Sequence, residues 1–131
     1  MGALVVDANV IITFLLRDNS SHGLVREALA EARERGDTFV MPASVLSESM
    51  VGGHRNGTSD ELRRRIVLLF GPVRVMDEVI ALAAAELRAD HRSLRLPDAV
   101  VVATGVVDQL PVLTCDRKLR DVHPGVQVLV P

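Results

Sequence analysis

The sequence predicts one α/β domain over residues 1–131, with a central, mainly parallel five-stranded sheet flanked by helices on both faces. Five short apolar runs alternate along the chain with helical patterns, and this alternation is typical of parallel sheets. The first run, residues 4–6, is apolar at every position, as in a strand that is covered on both faces. Because no internal repeat, low-complexity tract or linker interrupts the pattern, we expect a single domain with its own core.

Each predicted element follows from its local pattern and from the residues that bound it. Strands are predicted at residues 4–6, 38–41, 73–76, 111–114 and 126–130. Helices are predicted at residues 9–16, 21–35, 43–50, 60–70, 78–91 and 97–107, with a single turn at 117–121. Gly36, Pro42 and the pair Gly71 and Pro72 end the preceding elements, and the glycine-containing stretch 52–57 predicts a loop.

Composition limits the class of protein. The hydrophobic share is 48% and the net charge is −2, so part of the apolar surface is expected to be covered by another chain, and no global basic field indicates nucleic acid. Cys115 is the only cysteine, which excludes an intramolecular disulfide and fits a reducing compartment. We expect no signal peptide or membrane span, and a cytoplasmic location, because the longest apolar run, residues 99–107, is too short to cross a bilayer.

Two acids follow predicted strands in the same way. Asp7 comes directly after the first strand, and Asp116 comes shortly after the fourth. In open α/β sheets, ligands bind at this carboxyl edge. If the two strands are neighbours, the carboxylates lie close together, and like charges at short range need a shared proton or a cation. The alternative for each residue is a simple cap of the helix or turn that follows it.

Two further acids lie at comparable places. Asp98 is in the first turn of a helix that is apolar on every side, so its charge needs a partner, either a divalent metal or an arginine such as Arg95. Glu48 lies in a helix that follows the second strand, but helical periodicity places it opposite the apolar face, which favours a solvated side chain. Four carboxylates without matching histidine or cysteine suit Mg²⁺ or Mn²⁺ better than zinc. Such a metal would activate a water to attack a phosphodiester.

These acids, in this order and context, resemble the PIN-domain family, and the small size is similar to VapC-type toxins of VapBC toxin–antitoxin pairs. The matching segments are Val-Val-Asp-Ala-Asn-Val at residues 5–10, Pro-Ala-Ser-Val-Leu-Ser-Glu at 42–48, Leu-Pro-Asp-Ala-Val-Val-Val-Ala at 96–103 and Val-Leu-Thr-Cys-Asp at 112–116. The resemblance covers nearly the whole chain. It departs from the family at Ala8, where Thr or Ser is more frequent.

The resemblance implies a PIN fold and a Mg²⁺- or Mn²⁺-dependent endoribonuclease that acts on tRNA, rRNA or mRNA. It also implies a homodimer and inhibition by a cognate antitoxin. By position, the resemblance makes catalytic and metal-binding acids of Asp7, Glu48, Asp98 and Asp116, and polar supports of Asn9 and Thr114.

Several basic residues are candidates for contact with RNA phosphates, although runs of charge more often form a solvated face. They are Arg63, Arg64, Arg65, Arg92, Arg95 and Arg117, together with Arg55, Lys118 and Arg120. Two alternative functions stay open. One is an inactive PIN-like domain that only binds a partner. The other is a receiver-like signalling domain, which would need adjacent acids after the first strand and a lysine after the last core strand; Asp7 stands alone, and no strand immediately precedes Lys118.

Overall fold

Five parallel strands form the central sheet in the order β3–β2–β1–β4–β5. The computed structural model describes residues 2–130. The strands are β1 (Ala3–Val6), β2 (Thr38–Pro42), β3 (Val73–Arg74), β4 (Val112–Thr114) and β5 (Val126–Val128). Each pair of neighbours in this order is parallel, which confirms the predicted five-stranded α/β fold.

Two helices follow each of the first three strands. They are α1 (Ala8–Leu15), α2 (His22–Glu34), α3 (Ala43–Asn56), α4 (Ser59–Phe70), α5 (Glu78–Asp90) and α6 (Leu96–Asp108), with a short 3-10 helix at Arg117–Leu119. Successive residues of a strand point to opposite faces, and Leu4, Val5 and Val6 are all buried, so both faces of the sheet are covered. Within residues 2–130, no helix combines the length and the apolar composition that crossing a membrane requires.

Helix α6 lies in the core, as its uninterrupted apolar sequence predicts. All of its residues from Ala99 to Gly105 are buried. Gly105 packs against β4, because a Cβ there would collide with the Val112 side chain and would lie 2.9 Å from the Leu110 carbonyl oxygen. The glycine therefore lets the C-terminal end of α6 approach the start of β4 closely.

The predicted loop at residues 52–57 is wrong, because α3 continues without a break to Asn56. Gly53 is buried against α4: a Cβ there would lie 2.7 Å from Leu62 Cδ2 and 3.3 Å from Ser59 Cα. This glycine marks a close crossing of two helices rather than an interruption of one. Gly57 ends the helix, since its φ of +72° is a conformation that glycine adopts at little cost.

The third strand is shorter than predicted and ends at Arg74 instead of residue 76. The Arg74 guanidinium donates hydrogen bonds to both carboxylate oxygens of Asp108, at 2.9 and 3.0 Å. It also donates to the Val75 carbonyl at 2.9 Å and to Asp77 at 3.2 Å. Asp77 caps α5, as predicted, by accepting a hydrogen bond from the Ile80 amide. Side-chain contacts to the ends of α5 and α6 thus replace further strand pairing.

Candidate active site

The site is built at the carboxyl ends of the two central strands, β1 and β4. Val5 and Val6 pair with Val112 and Leu113. The Asp7 amide continues this ladder by donating to the Leu113 carbonyl at 3.0 Å. Asp7 therefore leaves the sheet beside Thr114, although 107 residues separate the two along the chain.

Asp7 is buried, with only 5% of its surface exposed. One carboxylate oxygen accepts a hydrogen bond from the Ala8 amide at 2.7 Å, so Asp7 does cap α1. The other oxygen accepts from the Thr114 hydroxyl at 2.8 Å and from the Asn9 side-chain amide at 3.3 Å. Asp7 is thus both the cap of α1 and the acid at the sheet edge, and hydrogen bonds to its two carboxylate oxygens hold it in one orientation.

A second set of hydrogen bonds fixes the groups that hold Asp7. The Asn9 side-chain oxygen accepts from the Cys115 amide at 2.9 Å, and the Thr114 hydroxyl oxygen accepts from the Asp116 amide at 3.1 Å. The structure therefore brings Asn9, Thr114 and Asp7 into one network that joins the ends of β1 and β4. Sequence reasoning missed the Cys115 amide, because a backbone group carries no signal in the residue pattern.

Burial is the main perturbation of the Asp7 carboxyl and raises its pKa from 3.8 to about 6. The hydrogen bonds from Thr114 and Ala8 lower this pKa, while the charges of Asp98 and Glu48 raise it. The negative charge on Asp7 is thus only partly compensated by the protein's own donors.

Asp98 interacts with all three of the other acids. It lies half-buried in the first turn of α6, and its pKa is raised by burial and then by the charge of Asp116. Its own charge raises the pKa of Asp7. It also raises the pKa of Glu48, where partial desolvation is the larger cause. The structure thus brings the four predicted acids within electrostatic reach of one another through Asp98.

Glu48 and Asp116 each fit the simpler alternative, a solvated side chain and a cap, and each also lies within electrostatic reach of Asp98. Glu48 is exposed, as helical periodicity indicates, yet the contact between α3 and α6 keeps it near Asp98. Asp116 caps the 3-10 helix, because its carboxylate accepts a hydrogen bond from the Lys118 amide at 2.9 Å. It also lines a cleft of about 380 Å³ together with Asp98.

The donor chemistry of the site suits a hard divalent cation, since four carboxylates offer oxygen ligands and mutual repulsion. Over residues 2–130, however, no three Asp, Glu, His or Cys side chains lie close enough together to form a ready-made metal cage. Of these four acids, Asp7 alone accepts hydrogen bonds on both carboxylate oxygens from other groups of residues 2–130. The side chains of Glu48, Asp98 and Asp116 would therefore have to turn toward Asp7 for the four carboxylates to bind one metal ion.

The basic candidates are all exposed, and they differ in whether they line a cleft. Arg95 and Lys118 line the cleft beside Asp98, and the charge of Arg95 lowers the pKa of both Asp98 and Glu48. Arg65 lines a separate groove between α1, α3 and α4. The other candidates line neither space, namely Arg55, Arg63, Arg64, Arg92, Arg117 and Arg120. The cleft is also lined by His91 and Asp121, which sequence reasoning did not select because no spacing links them to the acids.

The chain matches the PIN domain family model over residues 4–123, and it therefore belongs to that family. The predicted resemblance is confirmed on nearly the whole chain.

Solved structures share the fold. A chain of a toxin–antitoxin complex from Klebsiella pneumoniae is 23% identical and superposes with a TM-score of 0.78 over 97% of this chain and 98% of that one. A chain of FitAcB from Neisseria gonorrhoeae is 21% identical, with a TM-score of 0.77 over 98% and 97% of the two chains. VapC20 of Mycobacterium tuberculosis, a sarcin–ricin loop cleaving toxin, is 17% identical, with a TM-score of 0.63 over 83% and 86%.

Asp7 is expected to make the stability of the metal-free chain depend on pH. Its pKa is raised in the folded state, so between pH 3.8 and about 6 the folded chain binds more protons than the unfolded chain, and stability falls as pH rises. Asp7→Asn removes this loss. The free energy of unfolding of the variant, relative to the unchanged chain, should therefore grow by about 1–3 kcal/mol between pH 4 and pH 7.

Urea denaturation in EDTA at several pH values measures this difference. Asp18→Asn, at an exposed position, is the matched control and should show no such growth. If the free energy of unfolding of the Asp7 variant differs from that of the unchanged chain by the same amount at every pH, the raised pKa of Asp7 is contradicted.

Proposed function

We propose that the chain is a divalent-metal-dependent endoribonuclease and the toxin of a toxin–antitoxin pair. The observation that carries this proposal is the convergence of acids at the carboxyl edge: Asp7 and Asp116 follow the paired strands β1 and β4, and Asp98 lines one cleft with Asp116. The charge of Asp98 also raises the pKa of Asp7 and of Glu48. Within residues 2–130, the ion pairs involve other acids, so the four carboxylates stand without a contacting cation of the protein. Acids gathered without a contacting cation indicate a site for a positively charged ligand.

Asp7, Asp98 and Asp116 would hold the metal, with Glu48 completing the set. PIN nucleases generally use divalent metals, and the oxygen donors here suit Mg²⁺ or Mn²⁺. A bound ion of this kind supplies a Lewis acid for the phosphodiester and a water of lowered pKa as nucleophile. Thr114 and Asn9 act as positioning residues, because their hydrogen bonds fix the orientation of the Asp7 carboxylate.

The proposed substrate is tRNA, rRNA or mRNA. One relative of the same fold is a sarcin–ricin loop cleaving toxin, which supports RNA as the target. The chain has no Trp or Tyr; of its three phenylalanines, Phe39 and Phe70 are buried in the core and Phe14 is half-buried against it. Recognition would therefore depend on RNA shape and on contacts to the phosphate backbone rather than on stacking of bases on aromatic side chains.

Cleavage of RNA by the purified chain tests this function. With Mg²⁺ or Mn²⁺ we expect cleavage of total tRNA and rRNA, and none in EDTA. Asp7→Asn and Asp98→Asn should each lower the rate by about 100-fold or more, because each removes a carboxylate of the metal site. Asp60→Asn, which removes an exposed carboxylate on α4, should leave the rate unchanged.

Cleavage that persists in EDTA or in the Asp7 variant would refute the metal-dependent mechanism. Binding of RNA without cleavage, under every divalent ion tried, would favour the alternative of an inactive PIN-like domain that only binds partners. The receiver-like alternative loses support because the chain belongs to the PIN domain family.

An antitoxin is proposed to cover the groove between α1, α3 and α4. This groove of about 320 Å³ is lined by Ile12, Leu15, Leu16 and Leu62, and it reaches Glu48 at the acidic edge. Ile12 and Leu16 are exposed apolar side chains, which is unusual for a surface that only water contacts. A structure of the same fold comes from a toxin–antitoxin complex, which supports a partner of this kind.

Leu16→Arg is expected to weaken capture of the cognate antitoxin by at least about tenfold, because it places a charge in an apolar contact. RNA cleavage by the free chain should not change. Leu68→Arg is the matched control, since Leu68 is 85% exposed on α4 and does not line this groove. Equal loss of antitoxin binding in both variants, measured by titration calorimetry, would place the partner elsewhere.

A homodimer is proposed through the exposed apolar side chains of the β3–α5 region. Val75, Val79 and Leu82 are 67%, 59% and 65% exposed. Burying them against a second copy would remove apolar surface from water. Sedimentation equilibrium should show a dimer that Leu82→Glu weakens by about tenfold or more, whereas Leu68→Glu should leave it intact. A chain that sediments as a monomer at high concentration would rule this interface out.

A further inference from the structure

We propose that Arg95 and Lys118 form a phosphate-binding subsite beside the acidic site, which holds an RNA phosphodiester next to the one that is cleaved. This inference rests on the proposed endoribonuclease function and assigns its substrate a position. Both side chains are exposed, like most other basic residues of the chain, but these two line the same cleft as two of the acids.

The subsite is the cleft of about 380 Å³ between the segment that precedes α6 and the 3-10 helix. Arg95 and Lys118 line it together with Asp98 and Asp116, two of the four acids. His91 and Ser93 add further polar groups to the wall. The two cations and two proposed metal ligands therefore face one space, and an anion held by the cations would lie beside the metal site.

Local structure fixes both cations near their acids. Arg95 is the residue before α6, whose first turn carries Asp98. Lys118 lies in the 3-10 helix that Asp116 caps, and its amide donates to the Asp116 carboxylate at 2.9 Å. The backbone that orients each acid thus also carries the neighbouring cation, which places each cation beside one acid of the cleft.

Within the described residues, 2–130, no protein group occupies the side-chain donors of either cation. Across residues 2–130, neither the Arg95 nor the Lys118 side chain takes part in an ion pair within 4.0 Å, while Arg35 and Arg74 do. Both charges are nevertheless felt at Asp98, whose pKa they lower. If these cations served only to neutralise the acids, direct contact would be the stronger arrangement. Charged donors left free beside a phosphodiester-cleaving site match a second phosphate of the same strand.

Divalent cations should strengthen this subsite. Asp98, Asp116 and Asp121 line the same cleft and repel a phosphate. A divalent ion bound by the acids offsets part of that repulsion, and the linkage between the two ligands must be reciprocal. RNA should therefore bind more tightly in Ca²⁺ than in EDTA, and this difference should be smaller in variants that lack either cation.

The test compares two pairs of matched variants by fluorescence anisotropy, with a short fluorescein-labelled single-stranded RNA, in Ca²⁺ and in EDTA. Lys118→Gln and Arg95→Gln should weaken RNA binding in Ca²⁺ by about tenfold, the effect of losing a charge-assisted hydrogen bond. Arg117→Gln and Arg92→Gln remove one exposed positive charge from the same two segments but do not line the cleft, so they should weaken it by about twofold or less. Lys118→Arg should retain binding within about threefold, because it keeps the charge.

Cleavage kinetics give an independent readout. In Mg²⁺ or Mn²⁺, Lys118→Gln should raise KM by about tenfold and leave kcat within about threefold, since the subsite binds substrate without touching the reacting phosphate. Equal weakening by Lys118→Gln and Arg117→Gln would overturn the subsite while leaving the nuclease function standing. The expected binding pattern without any cleavage would support the subsite and refute the nuclease function. An RNA that does not bind the unchanged chain in either condition would overturn the subsite.

Discussion

The pairing of β1 with β4 is the constraint on which the candidate site depends. It joins parts of the chain that are more than a hundred residues apart in sequence, and it sets Asp7 beside Thr114 with no freedom to slide. A shift of one residue would move every side chain of β1 to the opposite face of the sheet and would break the hydrogen bond between Asp7 and Thr114. The hydrogen bonds among Asp7, Asn9 and Thr114 then follow from backbone register rather than from a flexible loop.

At the same edge of the sheet, burial and mutual repulsion make the charged forms of the carboxyl groups unfavourable. Asp7 is buried, and Asp98 adds its charge to those of Glu48 and Asp116. Hydrogen bonds from Thr114 and Ala8 offset part of this cost at Asp7 alone. The site therefore combines one acid that is held rigidly with others that are more exposed. Such a combination suits a metal ligand set that must exclude water on one side and admit a substrate on the other.

Most of the architecture was predictable, because strand and helix patterns are local. The placement of Asp7 and Asp116 at one edge follows from the rule that parallel strands end together, and the burial of α6 follows from its uninterrupted apolar sequence. The continuation of α3 past residue 52 was not predictable, since glycine signals both a turn and a close helix crossing. Only the position of Leu62, on the next helix, decides between the two.

The relative positions of the site residues were harder to predict than their identities. Periodicity describes Glu48 correctly as exposed, but its proximity to Asp98 arises from the packing of α3 on α6, which no local pattern contains. Similarly, Arg95 and Lys118 belong to different segments, and only the folded chain brings both to the wall of one cleft. Lys118 is also the only lysine of the chain. Amine-directed immobilisation, biotinylation or cross-linking will therefore have its one side-chain attachment point at the mouth of this cleft, and every molecule coupled there would have its own binding site obstructed by the linker.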